Sequence, residues 1–515
     1  MRQPRLATTL VVGLVLLPVV VSLAALIGRN WYPAGDYALE LLQIEEVGGG
    51  NTPLTGAYSR WGWDHPGPLL FWLLAPFTWL FGATGALVGT AVLNGASLAG
   101  ALLVARRGGG LALLVLTALV TVVLCTALGP GFLVDPWNPW VAVLPFFAFA
   151  LLAWVVSTGD LAMAPWMVVA GTFVVQAHVG FAVLVLGLGV IGALLGWCDD
   201  DEAGRRVRPA LIAVGVGALL WAPPLLQQLF GDDGNLANLL AYSRDPTGPT
   251  VGWARAWGVL GTELGLPGAW LAGGDDDPFG VPTSSTWPAL VLLAVTGSLG
   301  WLVARRGHRR AGRLALVALV ASGLAVASTA RVTGVVYHYV VRWWWVVAAL
   351  VWLSLLWSVW LLARAGARSA ALAVVLAATA VLAVVLGWRA TPADVPEEAL
   401  SAAIADLGPP VAAGLDADRA YLVEWVDGGG FGWAGMGMLH ELRQRGHEAY
   451  VPATAQPAFE PWQVARPEDV DGTVLVVTDN APVPGFAVPA GATVLARHDP
   501  SSADAPTYTV YLIGS

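Results

Sequence analysis

The segment Pro68-Leu69-Leu70-Phe71-Trp72-Leu73-Leu74-Ala75-Pro76-Phe77-Thr78-Trp79-Leu80-Phe81-Gly82 decides the topology of this chain. It is apolar throughout, yet short for a bilayer crossing of about 20 residues, and it carries a proline in its middle. If it crossed, Arg106-Arg107 and every later loop would change sides. If it lies in the interface, Arg2/Arg5, Arg106/Arg107, Arg205/Arg206/Arg208, the run Arg305 to Arg313 and Arg364/Arg368 share one face. The positive-inside rule selects the second arrangement. It predicts a cytoplasmic N-terminus, an extracytoplasmic C-terminus, and 68–82 as a juxtamembrane helix or re-entrant element.

Around this segment the chain is a polytopic membrane protein. Hydrophobic residues make up 57% of its 515 and charged residues only 12%, with mean hydropathy +0.68. A soluble chain of this length needs far more charge. Eleven apolar runs lie near 6–27, 84–105, 111–128, 139–157, 161–177, 179–197, 209–224, 287–304, 314–330, 343–362 and 369–387. The first has the basic start of a signal peptide. No convincing small-x-small site precedes Gly28-Arg29-Asn30 and ten more spans follow, so it is read as retained. The expected architecture is mainly α, with about 11 transmembrane helices in 1–389 and an extracytoplasmic α/β domain in 390–515. A first outer loop covers 28–83 and a long outer loop 225–286.

Charge divides along the same line. After Arg389 there are 17 acids and 5 arginines, a balance of −12, while the membrane part is about +3. An acidic outer domain argues against nucleic acid as a partner. All 26 basic residues are arginine, which reads as base composition. Cys125 and Cys198 fall near opposite membrane faces and cannot pair.

The spans carry no charged residue, whereas ion-coupled carriers usually bury acids or histidines in their helices. Polar residues gather at the outer ends instead: the first loop, Gly131 to Pro139 with Asp135, Gln176-Ala177-His178, the loop 225–286, and Arg331 to Arg342. Read as a helix, 36–47 puts Asp36, Glu40 and Gln43 on one face at i, i+4 and i+7, with Tyr37, Leu41 and Ile44 beside it. Such a helix shows carboxylates to a cavity while resting on lipid. The alternative is that Asp36 caps the helix and the glutamates solvate it.

In the tail, helices near 396–407 and 433–445 alternate with strands near 420–427, 449–452, 473–479, 492–497 and 507–513. Gly430-Phe431-Gly432-Trp433-Ala434-Gly435 meets the dinucleotide fingerprint formally, but the following strand lacks the acid at the usual distance. Tight helix–strand packing accounts for the glycines.

The first-loop pattern resembles the GT-C superfamily of polytopic glycosyltransferases, among them aminoarabinose transferases, protein O-mannosyltransferases and actinobacterial arabinosyltransferases. Asp36 matches their first-loop acid. Asp64-His65-Pro66-Gly67-Pro68-Leu69 matches the acidic-or-basic residue and Pro-Pro-Leu-like turn that introduce an interfacial helix. His65 stands where relatives carry Lys or His, and Asp64 where some carry Glu. Asp135 lies between the third and fourth spans, where several members place a further acid. Two departures are visible: the usual Asp-Glu pair is Asp36-Tyr37, and Gly67 interrupts the two prolines. The match covers roughly 1–390 in topology and about 45 residues in motif.

The resemblance implies sugar transfer from a polyprenyl-phosphate donor to a glycan or lipid acceptor of a bacterial envelope. Asp36 is the expected base, with Asp64 or Asp135 orienting acceptor or donor sugar. Glu40 joins them on the cavity face. His65, His178, Arg331, Tyr337, His338 and Arg342 are candidates for holding the donor phosphate. Arg331 and Arg342 have a second reading as span anchors beside the belt residues Trp343, Trp344 and Trp345. His178 has one as a structural helix-end histidine. Asp36, Asp64 and Asp135 could also supply hard oxygen ligands to Mg or Mn, which the sequence leaves open. Trp61 and Trp63 are candidates for sugar stacking. Gln227, Gln228, Asn235, Asn238 and Tyr242 could hydrogen-bond an acceptor. Two other classes remain: a transporter or flippase of lipid-linked saccharides, and a non-catalytic envelope assembly protein.

Overall fold

The structure is a computed structural model. It describes all residues except 1, 200–202, 232–233, 273–279, 428–431, 456–457, 480–482, 484, 501–505 and 515. Gly430 and Phe431 of the glycine-rich stretch therefore lie outside the described residues.

Among those described, nine helices are long and apolar enough to cross a membrane, where the sequence predicts eleven spans. Two local features account for the difference. The runs 84–105 and 111–128 form one 45-residue helix, Thr84–Leu128, interrupted at Gly110 (φ 76°, ψ −164°). Only glycine tolerates such a backbone readily. Asn94 Nδ2 donates to Leu133 O at 3.0 Å, so the beginning of this element lies beside the chain that follows its end. The chain thus doubles back at the break, and one element supplies two spans. The run 161–177 is helical but short, a 3₁₀ turn followed by Ala164–Ala177.

The helix Asn138–Ser157 is the hub of the bundle. Phe146, Phe147, Phe149 and Trp154 are all buried, and the helix packs against 84–128, 164–177 and 182–199. Its basic-end neighbours tie adjacent spans together. Arg107 Nε meets Asp160 Oδ2 at 2.5 Å, Arg313 Nη2 meets Asp199 Oδ2 at 3.0 Å, and Arg310 Nη1 donates to Gly108 O at 3.2 Å. Arginines from two predicted loops therefore cluster at one end of the bundle.

Segment 68–82 is the helix Leu69–Phe81, with Pro68 at its N-cap and Gly82 ending it. Thirteen residues reach about 20 Å, short of a bilayer core of about 30 Å. It packs on the helices Asp36–Glu45 and Thr84–Leu128 at the end opposite the arginines. Before it runs a small hairpin of β1 (Tyr58–Ser59) and β2 (Trp63–Asp64).

The tail folds as a six-stranded sheet with β3 (Ala420–Val426), β4 (Glu448–Pro452), β5 (Val464–Ala465), β6 (Gly472–Thr478), β7 (Thr493–His498) and β8 (Tyr508–Gly514). The order is β5-β4-β3-β6-β8-β7. The first four pair in parallel, while β8 is antiparallel to both β6 and β7. Helices Glu398–Ala413 and Trp433–Gln444 pack on it. A Cβ on Gly435 would lie 2.4 Å from the Trp425 ring, so close helix–strand packing requires that glycine.

The two parts share a core. Ala34 and Leu42 of the first loop join Leu400, Ile404 and Met438 of the outer domain in one apolar cluster. Gly35 N donates to Trp433 O at 3.0 Å, Tyr32 N to Ser401 Oγ at 2.9 Å, and His440 Nε2 pairs with Glu45 Oε1 at 2.9 Å.

Candidate functional site

Asp36 opens the helix Asp36–Glu45 but does not cap it. The N-cap is Gly35, with no side-chain cap bond. That removes the capping explanation for Asp36 and leaves its carboxylate in the first turn, where the helix dipole favours negative charge. Asp36, Glu40 and Gln43 all face one cavity, as their i, i+4, i+7 spacing requires. The helix does not rest on lipid as the sequence reading expected. Leu41 and Ile44 are fully buried in the membrane core cluster and Leu42 in that of the outer domain. The helix is clamped between the two because both of its apolar sides find protein partners.

The cavity holds about 270 Å³. Asp36, Glu40, Asp64 and Tyr58 line it from the first loop, Trp137 from the next outer loop, and Glu460 from the outer domain. Asp64 sits on β2, where Asn235 of the long outer loop grips its backbone twice, at 2.8 and 3.0 Å, and Thr55 Oγ1 donates to its Oδ2 at 3.1 Å. Burial, and then the charge of Glu460, push the Asp64 carboxyl up to about 7. Asp36 is also raised by burial, held back by the Trp137 indole that donates to it. Glu40 is only 4% exposed, and burial raises it well above the usual carboxylate range. Its Oε1 accepts from Asn138 N at 3.1 Å, and its Oε2 has no protein partner.

Asp135 stands behind this wall. Its Oδ2 accepts from the Tyr37 hydroxyl at 3.1 Å and its Oδ1 from Trp137 N at 3.0 Å, so one oxygen holds the residue next to Asp36 and the other a residue that lines the cavity. Burial raises it to about 7. His65 and His178 pack ring against ring, with centroids 4.6 Å apart. His65 Nδ1 accepts from Val179 N at 3.1 Å, and His178 Nδ1 from Gly180 N at 3.2 Å. Burial lowers both, His178 to about 4 and His65, with His178 beside it, well below the imidazole range. Both rings are neutral at pH 7 and fasten the hairpin to the 178–181 turn.

The 331–342 segment spreads over separate surroundings. Arg331 is exposed and donates to Ser243 O. Tyr337 stacks on Tyr339 at 5.6 Å, which in turn meets Trp137 at 4.9 Å. His338 is buried at the start of the short helix His338–Val341. Arg342 is buried between the Trp140 and Trp345 rings, at 4.9 and 4.3 Å. It faces Glu263, a buried carboxyl that burial raises to about 7 against the pull of Arg342 and a Trp345 hydrogen bond. Trp61 and Trp63 both pack on Tyr242, at 5.7 and 5.6 Å. Gln227 and Gln228 accept from the backbone of Asn235 and Ala237.

Sequence reasoning missed Glu460, Glu263 and Arg60. Glu460 and Glu263 lie far in sequence from the residues they face. Arg60, exposed beside the hairpin tip, had one available signal, an arginine in a loop apart from the arginine-rich ones that the positive-inside rule groups together. Its charge reaches Tyr58 and Tyr339, two phenols that also feel Asp36. Among the described residues no three His, Cys, Asp or Glu side chains are disposed to hold a metal. Asp36 and Asp64 share the cavity and Asp135 does not line it.

No protein-family model and no curated protein matches the sequence. Solved structures do. ArnT from Cupriavidus metallidurans bound to undecaprenyl phosphate superposes with TM-score 0.60 at 14% identity, covering 98% of each chain. The chain has the ArnT fold. The apo state of the same ArnT superposes with TM-score 0.51 at 17% identity, again over 98% of both chains. Because nearly all of each chain is covered, the likeness to ArnT takes in the outer domain as well as the helical bundle. The GT-C resemblance read from the first loop thus holds at the level of the fold.

Proposed function

We propose that this protein is a glycosyltransferase that moves a sugar from a polyprenyl-phosphate donor to an extracytoplasmic glycan or lipid of a cell envelope. The observation that carries the reading is a cavity walled by Asp36, Glu40 and Asp64 within a fold shared, end to end, with an ArnT bound to undecaprenyl phosphate. The cavity lies at the end of the bundle opposite the arginine cluster, which the positive-inside rule assigns to the extracytoplasmic side. The N-terminus is then cytoplasmic and the outer domain extracytoplasmic.

In this reaction the acceptor hydroxyl oxygen attacks the anomeric carbon of the donor sugar. The bond from that carbon to the phosphate oxygen breaks, its electron pair leaves on the phosphate, and the hydroxyl proton passes to Asp36. Asp36 suits the task because its side chain is open to the cavity while the Trp137 indole aims it. Asp64 orients the sugar. Asp135 acts through Tyr37 and Trp137 as a positioning residue. The departing phosphate needs a cation, and neutral His65 and His178 do not supply one. Arg60 is exposed and its charge reaches Tyr58, which lines the cavity, so its guanidinium is the candidate for that need, with the bidentate geometry that suits phosphate.

The test is transfer from radiolabelled polyprenyl-phosphate sugars by the purified protein in lipid, beside Asp36→Asn. Loss of at least about 100-fold in the variant, with unchanged thermal unfolding, is the expected result. Full transfer by the variant removes Asp36 as base. If the wild-type protein binds donors but turns over none, the glycosyltransferase reading falls and transport or assembly takes its place.

A further inference from the structure

We infer that the outer domain completes the donor-sugar subsite, with Glu460 acting beside Asp64 as a specificity-determining carboxyl for a sugar ring bearing hydroxyls and no anionic substituent. The inference rests on the glycosyltransferase reading for the identity of the ligand. Its geometric basis is independent of that reading.

Glu460 lines the same cavity as Asp36, Glu40 and Asp64, although it belongs to the turn that enters β5. None of the described residues lining that cavity is an arginine or a histidine, and the chain has no lysine. A sugar carrying a carboxylate or phosphate substituent would meet four carboxyl groups and no cation. A ring of hydroxyls meets acceptors and, where two carboxyls share a proton, a donor as well. Burial, and for Asp64 the neighbouring Glu460, raise both groups, as expected of carboxyls that cannot both ionise freely.

A second observation points to a ligand. Glu40 is 4% exposed, lines the cavity, and its Oε2 finds no partner in the protein. A buried oxygen in that state costs free energy unless something outside the chain satisfies it. A sugar hydroxyl in the cavity would do so.

Glu460 also has a local task. It forms a capping box with Gln463, accepting from the Gln463 backbone while its own N–H meets Gln463 Oε1 at 2.9 Å. A purely structural Glu460 would do no more than this. Glu460→Gln separates the two roles, since the amide oxygen can still accept in the cap while the charge is gone.

Binding to wild type and Glu460→Gln in nanodiscs, read by tryptophan fluorescence, is the decisive experiment. Three probes serve: undecaprenyl phosphate alone, the same lipid carrying a neutral hexose, and one carrying a hexuronic acid. The variant should bind the hexose lipid about tenfold more weakly, as for the loss of one charged hydrogen bond. Bare lipid should bind both proteins alike, and the uronic acid lipid should gain affinity in the variant. Equal hexose binding by the two proteins, or an equal loss for bare lipid, overturns the inference. Where transfer can be followed, the variant's acid limb should move to lower pH because Asp64 loses a negative neighbour, and an unmoved limb counts against the pairing. Wild-type protein that binds the hexose through Glu460 but never transfers it sinks the transferase reading alone.

Discussion

Replacing Gly35 by alanine should loosen the first-loop helix from the outer domain by an amount that can be worked out beforehand. Gly35 has φ 55° and ψ −137°, a backbone region nearly closed to residues with a side chain. Holding alanine there costs about 1–3 kcal/mol. The new Cβ would also lie 3.1 Å from Trp433 Cγ and 3.2 Å from its Cδ1, closer than ordinary contact. The same residue donates its N–H to Trp433 O, so any shift that relieves the ring weakens the bond. Taking about 2 kcal/mol in all, the opening equilibrium of the helix start rises about 30-fold. Amide exchange at Ala38 and Leu39, whose N–H groups donate to Gly35 O, should accelerate by that factor in hydrogen-exchange mass spectrometry. Gly28→Ala is the control, since Gly28 also has positive φ (77°) but nothing lies within 4 Å of its Cβ. It should leave those amides alone. Exchange in Gly35→Ala within threefold of wild type would falsify the claim that this contact fastens helix to domain.

Stability should fall as pH rises through the neutral range. Asp64, Asp135 and Glu263 titrate near 7 in the folded protein, well above their unfolded values, so between about pH 4 and 7 the folded state holds protons that the unfolded chain has released. Their favourable contribution is complete below pH 4 and lost above pH 7; for Glu263 it is on the order of 3 kcal/mol. The lowered imidazoles of His65 and His178 act in the opposite sense below about pH 6.5, so thermal unfolding in detergent at pH 6.5 and pH 8 should show the decline, smaller in Glu263→Gln, and an identical decline in that variant would contradict the assignment. Arg342→Met should destabilise the protein by about 1–2 kcal/mol at pH 8, because without the guanidinium Glu263 has to hold its proton there, about one pKa unit from where it titrates beside Arg342. Combining it with Glu263→Gln should recover much of the loss, and a double variant no more stable than Arg342→Met would rule out the pairing.

The sequence by itself determined what depends on local pattern. Hydrophobic run length set the spans, and the distribution of arginines separated 68–82 from them, because moving charge into a bilayer is costly whatever the fold. Helical periodicity placed Asp36, Glu40 and Gln43 on one face, and that face is the one that lines the cavity. The alternation of strands and helices in the tail was legible for the same reason, apart from the two-residue β5.

Tertiary structure alone decided which distant groups meet. It turned 84–128 back at Gly110, a single-residue dihedral that no hydropathy window registers. It put Glu460 across from Asp64, Glu263 against Arg342, and His65 against His178. It also clamped the 36–45 helix between two cores where its amphipathic pattern had matched a lipid surface equally well. A hydrophobic face records only that water is excluded, and lipid and protein exclude it alike. Burial likewise converts histidines that read as cations into neutral rings, and carboxylates into groups that hold protons near pH 7. Desolvation depends on every atom packed around a group, and most of those atoms come from elsewhere in the chain.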